Sequence, residues 1–155
     1  MKVGKLYLEN DLFNFKISKI IQNQIPKQIF IEALKNDRLW SRPVLEYKFS
    51  KYCFYPDIPG NALAWGSISK YLMGNLVFKS STKRQFYYYT FIKPWKHYIP
   101  VERDFSDLER KYEWARSNME EASFIAWNGY IQANNYIKKA YEHLISVILE
   151  KNNNR

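Results

Sequence analysis

Residues 57–108 alternate between helical and extended patterns in an order that few folds accommodate. A glycine turn comes first, and a helical pattern then runs over about 62–73 until Gly74, which ends it in the manner of a left-handed cap. The next residues, LVFK, form a short apolar run that is typical of an interior parallel strand. A further strand follows at HYIPV, and a further helix comes after it. This alternation predicts an α/β fold, a Rossmann-like parallel sheet with helices on both faces.

The part of the chain before this segment carries weaker patterns. Residues 5–9 (KLYLE) indicate a short strand, and apolar residues recur at helical spacing over 12–21. Another helix is expected to begin at Pro26, because proline is favoured in the first turn of a helix. Residues 44–57 indicate extended structure that leads into the glycine turn.

Helical patterns dominate the chain after the HYIPV strand. Ser106 and Glu109 have the S-x-x-E spacing of a capping box, in which each side chain satisfies a free backbone donor at the start of a helix. Two more helices are expected over about 119–132 and 135–151. The C-terminal end is therefore predicted to be helical.

The length of 155 residues is that of one ordinary domain. Within it we expect a helical N-terminal part at 1–43, a β/α core at 44–118 and C-terminal helices at 119–155. Aromatic residues make up 18% of the chain, which argues against disorder and for a well-filled core.

Positive charge is concentrated in the middle of the chain. The formal net charge is +9, and residues 51–101 hold seven Lys or Arg against one acidic residue, Asp57, whereas residues 102–155 hold eight basic and nine acidic residues. This imbalance predicts an anionic ligand or surface near the middle segment, although a merely basic, soluble chain has the same composition. Nucleic acid is not favoured, because no run of five basic residues and no dense arginine stripe occurs.

Cysteine and histidine are too scarce for the usual disulfides or metal sites. Cys53 is the single cysteine, and His97 and His143 are the two histidines, so an intrachain disulfide and a Cys/His zinc site are excluded by count. No stretch approaches the roughly 18 apolar residues of a membrane span or contains the apolar region of a signal peptide. We therefore expect a cytoplasmic protein without a metal, while its basic and aromatic residues leave contact with the inner face of a membrane open.

The glycine turn is the first candidate for a phosphate site. Gly60 lets an anion approach the free amides of a helix start, and Asn61 can cap that helix. Ser67 and Lys70 lie one turn apart on it, so a hydroxyl and an ammonium can face the same phosphate oxygens. A turn that only joins a strand to a helix has the same sequence pattern.

The run KSSTKR at 79–84 is the second candidate, because it gathers hydrogen-bond donors after a strand end, where ligands of open α/β sheets bind. Lys79 and Arg84 are its outermost cations. A solvated loop has the same composition. The aromatic residues that follow can stack on a base or a sugar, but their helical spacing favours packing for most of them.

Candidates for acid–base chemistry are few. Asp57 precedes the glycine turn and His97 begins a strand, but no paired carboxylates and no Ser/His/Asp arrangement accompany them. Asp104 and Asp107 flank Ser106, where negative charge suits a helix start without any catalytic role.

The motifs GNALAW, LVFK, KPWKHYIPV, DFSDLE and YEWAR occur in this order between Phe49 and Gly129. In this stretch, about half of the chain, the sequence resembles the carboxyl-terminal half of glycosyltransferase family 90. That family contains the Rumi-type protein O-glucosyltransferases, the fungal capsule-associated transferases and bacterial lipopolysaccharide-modifying enzymes.

The resemblance implies a GT-B fold of two Rossmann-like halves and a metal-independent, inverting transfer of a sugar from a nucleotide donor, commonly UDP-linked, to a hydroxyl. The matched half is the donor-binding one, and it needs no cofactor because the nucleotide sugar is a co-substrate. By position, the resemblance assigns to the donor diphosphate Gly60, Asn61, Ala62, Ala64 and Trp65. It assigns to the nucleotide side Lys79, Ser106 and Asp107.

Two features depart from the family pattern. Many members carry an Arg on the diphosphate directly after the aromatic residue of the turn, where this chain has Gly66, so Lys70, Lys79 or Arg84 is expected to supply the charge. The family's general base, an Asp, belongs to an amino-terminal half for which this chain is too short. A separate N-terminal acceptor domain is therefore an expected partner.

Together, these features predict a glycosyltransferase of lipopolysaccharide, capsule or glycoprotein assembly, in the form of a truncated or split donor domain. Its expected partners are a nucleotide sugar and a saccharide, lipid-linked or protein acceptor. The alternative is a catalytically inactive module that binds a nucleotide sugar or docks a protein or a membrane.

Overall fold

The structure of the protein is a computed structural model and describes residues 2–19, 26–58, 66–80 and 91–153. Its regular elements are, in chain order, α1 (Lys2–Leu6), α2 (Lys27–Asn36), a 3-10 helix (Glu46–Lys51), β1 (Phe54–Asp57), α3 (Ser67–Leu72), β2 (Leu76–Ser80), β3 (Ile99–Val101), α4 (Leu108–Ser117) and α5 (Met119–Asn153). Strands and helices alternate through the middle of the chain and the C-terminal end is helical, which confirms the predicted α/β class.

The three described strands form one parallel sheet in the order β1-β2-β3. Asp57 pairs with Lys79, and Lys79 pairs with Pro100, so these three residues lie at one level of the sheet. All five residues of β2 are buried, because β2 has a neighbour on each side and helices above and below. The LVFK run is thus the interior strand that its composition predicts.

Hydrophobic residues of β2 point alternately to two cores, one on each face of the sheet. Leu76 and Phe78 belong to a core that includes side chains of α4 and the first turns of α5. Val77 belongs to a second core with Tyr71 of α3 and Ala133 of α5. Helices therefore cover both faces, as predicted.

Local signals place two helix ends correctly. Pro26 is the residue before α2, where its fixed φ suits the start of a helix. Gly74 has a φ of +76°, and its amide donates to the carbonyl of Tyr71 at 2.9 Å. Of the predicted helix over 62–73, the structure describes α3 and its end. Most of the aromatic residues with helical spacing that follow the KSSTKR run lie outside the described residues.

The strand predicted at 5–9 is wrong, and so is the helix predicted over 12–21 in the part that the structure describes. Residues 5–9 do not form a strand, since α1 runs to Leu6 and a turn follows. Tyr7 is instead fixed by a remote contact, because its buried hydroxyl donates to the carbonyl of Phe105 at 2.6 Å. The described residues 10–19 contain no helix, and Phe13 and Phe15 both pack on Tyr7. Phe13 and Phe15 are two residues apart, which is the spacing of extended chain. Segments this short do not show whether their apolar residues follow the period of a strand or of a helix.

Residues 44–57 are extended only in part. The 3-10 helix interrupts them, and β1 occupies the last four positions. Helix α5 is continuous over 35 residues, so the predicted pair of C-terminal helices is wrong. Asn134 lies between the two predicted helices, and its side-chain Nδ2 donates to the carbonyl of Tyr130 at 3.0 Å within the continuous helix.

Candidate anion-binding site

A buried ionic cluster lies at the carboxyl end of β1. Asp57 is 2% exposed and accepts hydrogen bonds from Lys70 Nζ at 2.5 Å, from Lys79 Nζ at 3.0 Å and from Ser67 Oγ at 2.5 Å. Lys70 is 8% exposed and Lys79 is 7% exposed. We call these four residues the Asp57 cluster.

Sheet register and helix spacing bring the Asp57 cluster together. Asp57 ends β1 and lies directly opposite Lys79 in the parallel pairing with β2. Both side chains point to the face that α3 covers, because Lys79 and the second-core residue Val77 are two positions apart. On α3, Ser67 and Lys70 are three residues apart and share one side of the helix.

The cluster contains more positive than negative charge. Burial raises the pKa of the Asp57 carboxyl, but the charges of Lys70 and Lys79 and the hydrogen bonds from Lys70 and Ser67 outweigh burial and hold that pKa below its ordinary value of 3.8. Asp57 is therefore ionised at neutral pH, and its single negative charge faces two ammonium groups. A buried excess of one positive charge is costly unless an anion is present to balance it.

Two residues that the sequence analysis missed adjoin the cluster. The ring of Tyr55 lies 5.0 Å from Lys70 Nζ in a cation–π contact. Tyr55 lies two residues before Asp57 on β1, so both side chains point to the same face of the sheet. The two-residue period of a strand is therefore the sequence signal that could have identified Tyr55. Glu46, which is exposed, accepts a hydrogen bond from Ser69 Oγ on the outer side of α3. A Cβ at Gly66 would lie 2.8 Å from Glu46 Oε1, the far end of a flexible and exposed side chain that can move aside.

His97 is not part of the Asp57 cluster. It precedes β3 and so lies at the amino edge of the sheet, whereas Asp57 lies at the carboxyl edge. Its buried Nδ1 accepts the amide hydrogen of Lys93 at 2.8 Å. Burial, followed by the charges of Lys96 and Lys93, lowers the pKa of the imidazole, which is therefore neutral at pH 7. The structure gives His97 a local packing role.

Ser106 and Asp107 lie in the turn after β3, at the same edge of the sheet as Asp57. The predicted capping box is not formed: α4 follows Asp107 rather than Ser106, with no side-chain cap. Asp107 Oδ1 accepts the amide hydrogen of Glu102 at 2.8 Å instead. Glu109 accepts a hydrogen bond from Asn10 Nδ2 at 3.2 Å. A local contact at Asp107 and a long-range contact at Glu109 thus take both carboxylates that a helix start and a capping box would use.

The remaining predicted donor residues lie outside the described residues. They are Gly60, Asn61, Ala62, Ala64, Trp65 and Arg84. Their contacts with a donor remain predictions. Of the KSSTKR run, Lys79 belongs to the Asp57 cluster, and Ser80 is buried with no hydrogen-bond partner for its hydroxyl among the described residues.

The described ranges contain neither a metal-ligand cluster nor a helix that could span a membrane. Among the residues that the structure describes, no group of three or more His, Cys, Asp or Glu side chains has the arrangement of a metal site. Helices in the same ranges are too short or too polar to cross a membrane. Metal-independent chemistry remains a prediction.

The fold and the Asp57 cluster define an α/β protein with buried cationic side chains at the carboxyl edge of a parallel sheet, where such folds bind ligands. The sequence model of glycosyl transferase family 90 matches residues 11–150, and the chain belongs to this family. The resemblance stated from the motifs is confirmed.

Several curated relatives are protein O-glucosyltransferases. The chain is similar to protein O-glucosyltransferase 3 of Homo sapiens, with 34% identity over 92 residues, which are 59% of this chain and 18% of that protein. It is also similar to protein O-glucosyltransferase 2 of Danio rerio, with 34% identity over 83 residues, 54% of this chain and 17% of that protein. Protein O-glucosyltransferase 1 of Homo sapiens is 32% identical over 79 residues, 51% of this chain and 20% of that protein. The matched part of the chain thus spans about a fifth of the length of these relatives.

Proposed function

We propose that the chain is the donor-binding part of a glycosyltransferase and that the Asp57 cluster binds the diphosphate of a nucleotide sugar, commonly UDP-linked. The observation that carries this proposal is the pair of buried ammonium groups that share one carboxylate at the carboxyl edge of the sheet. A diphosphate supplies the negative charge that the cluster lacks. Lysine ammonium groups in a largely dehydrated site bind phosphate oxygens through charge-assisted hydrogen bonds.

In the proposed reaction the acceptor oxygen attacks the anomeric carbon while the bond from that carbon to the diphosphate breaks. Negative charge then develops on the leaving diphosphate. In this proposal Lys70 and Lys79 stabilise that charge, the role that a divalent cation fills in other transferases. Asp57 and Tyr55 hold the ammonium groups in position before the donor arrives.

Asp57 has a positioning role in this proposal and is not the general base. Its carboxylate receives three hydrogen bonds, and its lowered pKa makes it a poor proton acceptor. The base that takes the proton of the acceptor hydroxyl belongs to an acceptor-binding part outside these 155 residues. The greater length of the relatives supports this division.

The names of the relatives favour glucose as the sugar and a protein hydroxyl as the acceptor. A saccharide or lipid-linked acceptor in lipopolysaccharide or capsule assembly is the other acceptor class that the family resemblance suggests. Transfer assays with radiolabelled UDP-glucose distinguish the two acceptor classes. Each class is incubated with the chain alone and with the chain plus a candidate acceptor-binding half. Binding without transfer under all conditions supports the inactive nucleotide-sugar-binding module instead.

Calorimetric titration with UDP and UDP-glucose in the presence of a chelator tests the site. Lys70→Met and Lys79→Met should each weaken binding about 5- to 30-fold, or ~1–2 kcal/mol, because each removes a charge-assisted contact. Either variant leaves Asp57 paired with one lysine ammonium group, so the charges of the Asp57 cluster then balance. Lys138→Met, at a lysine of α5 whose side chain is 78% exposed, is the matched control and should bind like the unmodified chain. Equal affinities for all four proteins would place the diphosphate elsewhere.

A further inference from the structure

A cavity of about 470 Å³ lies at the amino edge of the sheet. It is bordered by Phe54 and Leu76, which pair with each other as the first residues of β1 and β2. The end of the 3-10 helix, the end of α3 and the first turns of α5 complete its walls. Asp57 and Lys79 pair at the other end of the same two strands, so this amino-edge cavity is separate from the Asp57 cluster. Its volume is within the range of small-molecule sites.

The lining of the amino-edge cavity favours an uncharged ligand. None of its residues is Lys, Arg, His, Asp or Glu. Burying a charge without a partner is costly, so the cavity is unsuited to a phosphate or a carboxylate. Most of its side chains are apolar or aromatic, so a sugar would leave many of its hydroxyl groups without partners. The amino-edge cavity therefore suits neither a nucleotide sugar nor a saccharide acceptor.

One buried polar atom of the lining lacks a hydrogen-bond partner. Asn75 lines the cavity and is 2% exposed, and its Nδ2 donates to the carbonyls of Phe49 and Tyr52. Its Oδ1 accepts no hydrogen bond among the residues that the structure describes. A buried acceptor without a partner is costly, so a ligand that donates a hydrogen bond to Oδ1 gains affinity.

The serine hydroxyl groups of the lining do not supply that hydrogen bond. Ser50 Oγ donates to the carbonyl of Tyr47 at 2.7 Å, and Ser123 Oγ donates to the carbonyl of Met119 at 2.7 Å. Each hydroxyl has one hydrogen, which these bonds use. The polar group that remains open at Asn75 is an acceptor, which requires a ligand with an N–H or O–H group.

Aromatic side chains of the lining favour a ring in the ligand. The rings of Trp127 and Tyr130 stack, with centroids 5.5 Å apart and 28° between their planes. Trp127 is 59% exposed, so part of its surface is open to a further ring. Because Asn75 is buried, a ligand donor reaches Oδ1 only when a lining side chain moves. Met73 and Met119 are the flexible members of the lining, and methionine adapts readily to a new neighbour.

We propose that the amino-edge cavity binds a small uncharged molecule with an aromatic ring and one N–H or O–H donor, of the chemical class of the indoles and phenols. The donor binds Asn75 Oδ1, and the ring stacks on Trp127. Cys53, whose thiol is free and exposed, also lines the cavity, so a bound ring shields it. This binding is independent of the nucleotide, because the Asp57 cluster lies at the other edge of the sheet.

The rate at which Cys53 reacts with a thiol reagent measures occupancy, because Cys53 is the single cysteine of the chain. Indole at about 1 to 10 mM should slow this reaction in a saturable way. N-methylindole has the same ring system without the N–H group and should bind at least about fivefold more weakly, because the hydrogen bond to Asn75 Oδ1 is lost. The anion indoleacetate should bind at least about tenfold more weakly than indole, because its carboxylate has no partner in the lining.

Two alanines of α5 provide a matched pair of variants. Ala126 lines the cavity, whereas Ala140 is exposed on the same helix outside it. Ala126→Phe fills the cavity and should abolish protection of Cys53 by indole, and Ala140→Phe should keep it. Circular dichroism checks that both variants fold; if Ala126→Phe does not, the comparison of indole with N-methylindole on the unmodified chain decides.

Three results would overturn the proposal. They are no saturable protection by indole up to about 10 mM, equal affinities for indole and N-methylindole, and unchanged protection in a folded Ala126→Phe chain. The assay contains no nucleotide, so its failure is distinguishable from a failure of diphosphate binding at the Asp57 cluster.

Discussion

Asp57→Asn removes the negative charge that holds two buried lysines and is the sharpest probe of the Asp57 cluster. Asparagine keeps the shape of the side chain and one acceptor oxygen, so packing changes little. Lys70 and Lys79, each less than 10% exposed, then face each other without the carboxylate that both now contact. The substitution therefore isolates the electrostatic contribution of Asp57.

The expected loss of stability is large for a single isosteric change. Removing one partner of a buried ion pair costs about 3–5 kcal/mol, because the remaining charge stays buried without compensation. Here two charges are left, so we expect the loss for Asp57→Asn at the upper end of that range, ~5 kcal/mol. Adding Lys70→Met removes one of the two unbalanced charges and should recover at least about 1 kcal/mol, which makes the double variant more stable than Asp57→Asn alone.

Urea unfolding at pH 7, followed by circular dichroism, measures these differences. Asp37→Asn is the control, because Asp37 forms an exposed ion pair with Lys5 at 2.8 Å and should contribute less than about 1 kcal/mol. Equal losses for Asp57→Asn and Asp37→Asn, or a double variant less stable than Asp57→Asn, would refute the charge argument.

Two further predictions concern His97 and the helix that packs on it. Burial lowers the pKa of His97 in the folded chain, so the unfolded chain binds a proton first as pH falls below 6.5. The free energy of unfolding should therefore decrease as pH falls from 6.5 through the folded pKa. His97→Gln should reduce that slope in urea titrations between pH 7.5 and pH 5. Equal slopes for the two proteins would contradict this role. Gly129→Ala would put a Cβ 2.6 Å from the carbonyl oxygen of His97 and should destabilise the chain by about 1–3 kcal/mol, although alanine is the better helix former. A variant that is more stable than the unmodified chain in thermal unfolding would show that α5 can shift away from His97 at little cost.

Parts of the fold that depend on neighbours in sequence were predictable. Pro26 at the start of α2, the buried LVFK run of β2 and Gly74 at the end of α3 each act within a few residues. The one-turn spacing of Ser67 and Lys70 is of the same kind. The strand predicted at 5–9 and the described part of the helix predicted over 12–21 failed because remote groups, the carbonyl of Phe105 and the ring of Tyr112, contact these residues.

The composition and motifs of the chain were sufficient for its class, its family and its positive middle segment, since these depend on residue identity and local order. They were not sufficient for the pairing of Asp57 with Lys70, 13 residues away, and with Lys79, 22 residues away. That pairing needs the register between β1 and β2 and the packing of α3 on one face, which are properties of the assembled sheet. The assembled sheet places Asp57 in contact with two lysines at its carboxyl edge, and it places His97 near its amino edge, outside that cluster.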